Sequence, residues 1–371
     1  MKKLGFGFMR LPVLDEYDRS TVDIEVVKKM VDRFMERGFT YFDTAHRYND
    51  EAAEPAIRES LVRRYPRDRY VLANKITLNY IKRAEEQEPF FQRQLSICGV
   101  DFFDNYLIHN MGATWYPQAQ KYGSFDFIKR MRDEGYAKHI GFSFHGTADV
   151  LEEILQAQPE VEIVQLQINY LDWEDPNIQS RRCYEAARRN GKQIVVMEPV
   201  KGGTLVNLPE DAAYALKEAD PRSSLASWAI RYAAGLDGIH TVLSGMSTQE
   251  QVEDNTRYMQ DFKPLAPHEQ DLLKKVTGII HAKAAIACTH CRYCTPECPK
   301  NIAISDYFGL YNNLKQLKNT AYMFNQSVYY ANLAQNHGKA SDCIQCGLCE
   351  KNCPQNLPVR ELLGKVATEM E

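Results

Sequence analysis

Two phrases late in the chain carry its densest chemistry: "CTHCRYCTPECP" at Cys288–Pro299 and "CIQCGLCEKNCP" at Cys343–Pro354. Both read C-x2-C-x2-C-x3-C-P, and the only cysteines outside them are Cys98 and Cys183. Zinc sites favour two separated ligand pairs. A run of four thiols closed by Cys-Pro is instead the spacing that holds a four-iron cubane, and in two-cluster proteins the fourth thiol serves the partner cluster. That scheme assigns Cys288, Cys291, Cys294 and Cys353 to one 4Fe-4S cluster, and Cys343, Cys346, Cys349 and Cys298 to the other. A second set of reactive types lies far upstream: Asp43, Tyr48, Lys75 and His109. Together they make a proton-donating site. A free tyrosine titrates near pH ~10, so proton donation at neutral pH asks for about 4 kcal/mol of phenolate stabilisation. An adjacent ammonium supplies a shift of that sign, and a carboxylate behind it holds the ammonium charged and aimed. The histidine can orient a carbonyl oxygen by a hydrogen bond.

Such groups need a frame that brings them together. Residues 1–262 alternate short runs rich in β-branched and aromatic residues with helical stretches. The strand runs are "LGFGFM" (4–9), "TYFDTA" (40–45), "YVLANKI" (70–76), "FFDNYLIH" (102–109), "HIGFSF" (139–144), "IVQLQINY" (163–170), "QIVVMEP" (193–199) and "IHTVLSG" (239–245). Among the helical stretches are "DIEVVKKMVDRFMERG", "EAAEPAIRESLVRRY" and "TADVLEEILQAQ", the last opening on a Thr147 cap. Eight strands in this rhythm predict a (β/α)8 barrel rather than an open doubly wound sheet. Asp43, Lys75 and His109 each fall at or near the end of a predicted strand, and Tyr48 follows in a loop. Barrels carry their chemistry on that C-terminal face. No G-x-G-x-x-G follows the first strand.

A helical connector is expected over 263–280, and residues 281–371 form the cysteine-bearing domain. The stretch between Cys298 and Cys343 is too long for a compact bacterial ferredoxin. It contains "ISDYFGLYNNLKQLK" and "SVYYANLAQNHGKAS", which read as amphipathic helices closed by Gly338. That resembles the α-helical ferredoxin module of larger redox enzymes.

Composition bounds the rest. A net charge of −4 with interspersed signs over 371 residues argues against a nucleic-acid partner. No apolar run reaches the ~20 residues of a membrane span, and "MKKLGFGFMRLP" lacks the apolar core of a signal peptide. Clusters and free thiols lead us to expect the reducing cytoplasm of an organism living with little oxygen.

The phrases "YFDTAHRYNDEAAEPAI", "ANKI", "YLIHN" and "GFSFHG" resemble the aldo-keto reductase family over the whole barrel, and the cysteine runs point to its iron–sulfur-containing branch. The resemblance implies a tetrad of Asp43, Tyr48, Lys75 and His109, with Tyr48 as general acid and NADP(H) or NAD(H) exchanging hydride with a carbonyl or alcohol substrate. It places Ser143 and Gln165 on the nicotinamide carboxamide, although Phe144 stands where the family has an asparagine. Met197 takes the place of an aromatic that stacks on the nicotinamide. Gly245, Met246 and Gln251 occupy positions where the family presents a Lys-Ser pair and an arginine to a 2′-phosphate, and Asp254 and Asn255 fall in the adenine-binding places. Trp115 and Tyr116, in the loop after His109, are expected to wall an apolar substrate pocket.

Three functions fit this set. One is carbonyl reduction or alcohol oxidation, with clusters that stabilise the tail or shape a partner surface. Another has the clusters exchange electrons with the barrel site or with a ferredoxin or flavoprotein partner. Hydride moves two electrons and a cubane takes one, so that reading calls for a flavin between them. The third is a non-enzymatic redox sensor, which has no need of an intact tetrad.

Overall fold

The computed structural model describes residues 2–315 and 323–371. The strands are β1 (Leu4–Gly7), β2 (Val13–Asp15), β3 (Asp18–Val22), β4 (Tyr41–Asp43), β5 (Val71–Ile76), β6 (Phe103–Met111), β7 (Ala137–Phe144), β8 (Ile163–Gln167), β9 (Gln193–Met197) and β10 (Ile239–Gly245). Eight of them close a parallel barrel in the order β1-β10-β9-β8-β7-β6-β5-β4. The expected (β/α)8 fold is the observed one, with strand ends within a few residues of the predicted runs.

Parallel strands covered on both faces must be apolar along their whole length. Tyr41, Ala73, Leu107, Ile163, Val195 and Leu243 fill the barrel interior, while Phe6, Phe34, Phe42, Ile108, Phe142 and Val164 join the larger core. The interior leaves no slack at Gly141 of β7, where a Cβ would lie 2.1 Å from the Ile163 carbonyl oxygen.

The helices follow from sequence more unevenly. Ile24–Glu36 begins where the Asp23 carboxylate accepts from the Val26 N–H, as N-caps do. Thr147 does sit at the N-cap of Ala148–Ala157, but its hydroxyl makes no capping bond. The stretch from Ala53 is α-helical only to Ile57 and continues as a π-helical turn over Arg58–Val62. The antiparallel β2–β3 hairpin went unpredicted. Its two strands are only three and five residues long and mostly exposed, so they lack the apolar run that marks a barrel strand.

Where a connector is expected runs one helix, Pro267–His281, whose Leu273, Val276 and Ile280 share a core with Leu216 and Trp228. Beyond it, helices Ile304–Lys315, Met323–Leu333 and Val359–Met370 enclose a separate core around Tyr307, Phe308, Tyr330, Leu363 and Val366. Tyr307 and Tyr330 stack at 4.3 Å, and the Tyr307 hydroxyl donates to the Gly338 carbonyl at 3.0 Å. The last three residues of "ISDYFGLYNNLKQLK" lie outside the described residues.

This second core docks on the C-terminal face of the barrel. Ile178, from the segment after β8, is buried within it. The Asn332 side chain donates to the His145 carbonyl at 2.6 Å and accepts from the Thr114 hydroxyl at 2.6 Å and its backbone N–H at 3.1 Å. Asn313 bridges in the same way, accepting from Lys201 Nζ at 3.0 Å and donating to Asp175 at 3.0 Å. Among the described residues no helix is long and apolar enough to cross a membrane.

Candidate active site and cluster pockets

The end of β4 aims Asp43 into the barrel mouth, and β5 aims Lys75 beside it. Lys75 Nζ donates to Asp43 Oδ1 at 2.6 Å and to the Thr44 carbonyl at 2.9 Å, with both charged side chains buried. Burial works against the Lys75 ammonium, but Asp43 and Tyr48 outweigh it and hold the lysine charged. The Tyr48 ring lies 4.9 Å from that ammonium and meets the His109 ring edge-on at 5.7 Å. The four residues expected to act together are therefore neighbours, and Asp43, Tyr48 and His109 line one cavity.

The electrostatics depart from expectation at Tyr48. Burial raises its pKa, Lys75 pulls it back, and burial wins. The net direction is upward, opposite to the expected one, because a phenolate in a dry pocket loses more hydration than one ammonium returns. The hydroxyl consequently stays protonated through neutral pH. At His109, burial and then the Lys75 charge depress the imidazole well below its usual range, so it is neutral. Its Nδ1 lies 3.1 Å from the Thr77 hydroxyl.

The expected cofactor residues divide. Ser143, Gln165, Met197 and Gly245 line the same cavity as the tetrad. Gln251, Asp254 and Asn255 do not line it. Gln251 Oε1 accepts from the Ser247 N–H at 2.7 Å, Asp254 accepts from Arg257 at 2.7 Å, and Asn255 donates to Ser244 at 2.8 Å. Tyr116 is buried in the core, edge-on to Phe125, Trp115 is partly buried against that core, and neither lines the cavity. Loop aromatics with a large apolar core beside them gain more from that burial than from standing in an open mouth.

Their places at the rim are taken by residues the sequence reading missed. Met9, Arg10 and Arg19 come from the end of β1 and the hairpin, Arg47 and Asn49 from the loop around Tyr48, and Glu198 from the end of β9. The Arg10 side chain lies against Gly245, so a basic group stands where the sequence showed none. Asn110 and His145 also face the cavity. A signal for His145 was present, since "GFSFHG" runs past the strand end.

The cysteines form two groups. Cys298, Cys343, Cys346 and Cys349 line one pocket, walled by Ile302, Ile304 and Leu363. This is one run's first three thiols with the other run's fourth. The Ile302 N–H points at Cys298 Sγ over 3.5 Å. Cys288 belongs elsewhere: burial raises its pKa, and the neighbouring Cys291 and Cys353 add to that rise. A backbone N–H from His290 reaches its sulfur at 3.4 Å. The four thiols that line the first pocket, with apolar walls and an N–H on the Cys298 sulfur, fit a cubane.

With this geometry in hand, comparison with known proteins decides the family. A model described as "Aldo/keto reductase family" matches residues 3–277. The chain belongs to the aldo/keto reductase family. A second model, "4Fe-4S dicluster domain", matches residues 287–358, so this family member is an oxidoreductase with an added iron–sulfur domain. An uncharacterized oxidoreductase of Schizosaccharomyces pombe is 24% identical over 267 residues, spanning 69% of this chain and 81% of that protein. Among solved structures, a Bacillus halodurans aldo-keto reductase in its holo form aligns with a TM-score of 0.60 at 22% identity. The alignment covers 74% of this chain and 91% of that one. A Klebsiella pneumoniae aldo/keto reductase, solved with NADP and acetate, aligns at 0.59 and 16% identity, covering 74% and 91%. At such identities the solved structures speak for the fold alone.

Proposed function

We propose that this family member interconverts a carbonyl compound and its alcohol with NADP(H) or NAD(H), using Tyr48 as the proton donor, and that its second domain holds two 4Fe-4S clusters. The observation that carries the reading is the buried Lys75–Asp43 pair set beside the Tyr48 ring, with His109 edge-on to the same ring. When bound, a reduced nicotinamide supplies the hydride that adds to the carbonyl carbon. The chain's own residues handle the proton. The Tyr48 hydroxyl gives its proton to the carbonyl oxygen, and the phenolate left behind is stabilised by the Lys75 ammonium. Asp43 keeps that ammonium charged and fixed. His109, neutral and accepting at Nδ1 from Thr77, presents its Nε2–H to the same oxygen. Cys288, Cys291, Cys294 and Cys353 would hold one cluster, and Cys298, Cys343, Cys346 and Cys349 the other.

The docking of the cysteine domain on the catalytic face favours a second reading, in which clusters and barrel exchange electrons through a two-electron intermediary. One experiment separates the two. The protein is reconstituted anaerobically with iron and sulfide and mixed with NADPH or NADH without substrate. Unchanged cluster absorbance, with nucleotide oxidation only on adding an aldehyde or ketone, supports carbonyl reduction. Bleaching by nucleotide alone supports electron exchange. Neither response would sink both readings.

A further inference from the structure

The cavity that holds Tyr48 and His109 carries more positive charge than the proton transfer uses. Arg10, Arg19 and Arg47 all line it, in a chain whose net charge is −4. The acids lining it are Asp43, Asp50 and Glu198. Asp43 is bound to Lys75, and Glu198 lies 3.9 Å from Arg10. Asp50 is exposed, as is its neighbour Glu51, and water and salt screen an exposed charge most strongly. The arginines divide by position. Arg10 stands on the β10 side, against Gly245. Arg19 comes from the hairpin and Arg47 from the loop after β4.

Arg19 and Arg47 stand at the end where the reacting oxygen would be held. Arg47 immediately precedes Tyr48. Burial and Lys75 lower the His109 pKa, and the Arg47 charge adds to them. His109 itself lies in a bulge of β6, where the register against β7 slips between Ile108 and Met111, and its ring meets Tyr48 edge-on. The hairpin is tied to the same loop. The Asn49 side chain donates to the Arg19 carbonyl at 3.2 Å and accepts from the Leu11 N–H at 3.5 Å. Asn49 is buried and has a φ of +49°, a conformation that asparagine adopts more readily than most residues. The Arg19 guanidinium donates through Nη2 to the Met9 carbonyl at 2.9 Å. A guanidinium has five N–H donors, and this bond uses one of them.

We infer that Arg47 and Arg19 form an anion subsite, and that the carbonyl substrate carries a carboxylate or a phosphate group. The guanidinium fork matches both groups bidentately. A cavity biased to positive charge also draws anions in and raises their local concentration. With the anion on these arginines, the carbonyl end of the same molecule is presented to Tyr48 and His109. The reduced product is then a hydroxy acid or a phosphorylated alcohol. This rests on the carbonyl-reduction reading proposed above and specifies its substrate class.

The test compares matched substrates. The anaerobically reconstituted protein is assayed with NADPH or NADH on two pairs: 4-oxobutanoate against 4-oxobutanamide, and glyceraldehyde 3-phosphate against glyceraldehyde. Wild type is expected to favour the anionic member in kcat/KM by roughly ten- to a hundredfold, the range of one charge-assisted hydrogen bond. A preference confined to one pair tells carboxylate from phosphate. Arg47→Met should cut the preference by a similar factor, mainly through KM, and Arg19→Met should lower it too. Arg47→Lys keeps a charge and should retain part of it; if Arg47→Met loses turnover altogether, the lysine variant decides. The inference is overturned if wild type treats both members of each pair alike, or if Arg47→Met discriminates as wild type does. It is also overturned if fluorescence titration shows the methionine variants losing nucleotide affinity by the same factor, which would give these arginines to the nucleotide phosphates. No turnover of any of the four compounds by wild type would instead sink the carbonyl-reduction reading, and this inference with it.

Discussion

Tyr48 stands between opposed influences, with burial raising its pKa and Lys75 pulling it down. A catalytic acid gains from both, because it must be loaded at rest and must release its proton only when a basic oxygen forms. Tyr48→Phe removes the proton and little else, since the ring keeps its place against His109. Carbonyl reduction should fall below a tenth of wild type, while nucleotide affinity, measured by fluorescence titration, stays within a few-fold. Residual activity above that level would remove Tyr48 from the role. At the other end of the proposed cofactor site, Gln251 folds back on Ser247 and Asp254 pairs with Arg257. Neither provides the guanidinium fork that grips a 2′-phosphate. A lost charge-assisted hydrogen bond forfeits about 1.5–3 kcal/mol, roughly ten- to a hundredfold in affinity. Titrations with NADPH and NADH should therefore differ by less than a hundredfold. A larger preference would show that another group, such as Arg10 beside Gly245, acts as the clamp.

At the scale of elements, the ends of β6 and β7 do most of the positioning. The bulge in β6 sets His109 and Asn110, and the residue after β7, His145, joins cavity and cysteine domain. Its ring is edge-on to Tyr329 at 5.8 Å, and its carbonyl accepts from Asn332. Burial lowers the His145 pKa to about 4. In the unfolded chain the imidazole titrates near ~6.5, so between these values the unfolded state binds the extra proton and stability falls as pH falls. From pH 7 to pH 5 the loss at this site is about 2 kcal/mol. Urea unfolding of the reconstituted protein should show wild type losing stability over that interval, and His145→Gln losing less of it. An identical pH response in both would mean that the buried imidazole is not the group that titrates.

For the whole molecule, the main fact is where the second domain sits. Lys201 and Asp172 form an ion pair with both side chains fully buried, and Asn313 of the cysteine domain completes the shell of the lysine. Gln167 and Asn169 donate to the other Asp172 oxygen at 2.8 and 2.7 Å. Removing one partner of a buried pair costs about 3–5 kcal/mol, so this network ties domain docking to the barrel's own stability. The grouping of thiols across the two runs makes the tail equally interdependent. Cys298→Ser should damage the cluster held by Cys343, Cys346 and Cys349, and spare the one beside its own run. Electron paramagnetic resonance of the reduced variant should show one cubane signal altered and one intact. Loss confined to the cluster of Cys288, Cys291 and Cys294 would reverse the pairing.

The sequence by itself determined the barrel, because strands buried on both faces must be written as apolar runs and that pattern is local. It also determined the cysteine spacing and the neighbourhood of Asp43, Tyr48, Lys75 and His109, since strand-end positions can be read once the strands are placed. The place of Asn110 at the cavity was not legible, because it depends on a bulge whose register slip involves β7. Nor was the direction of the Tyr48 shift, which depends on how much water the folded pocket excludes. The short hairpin behind Arg19, the packing of Trp115 and Tyr116 on the core, and the seating of Asn313 and Asn332 on the C-terminal face are long-range outcomes of the same kind. Each is settled by which surfaces meet after the barrel closes, and no local pattern encodes that contact.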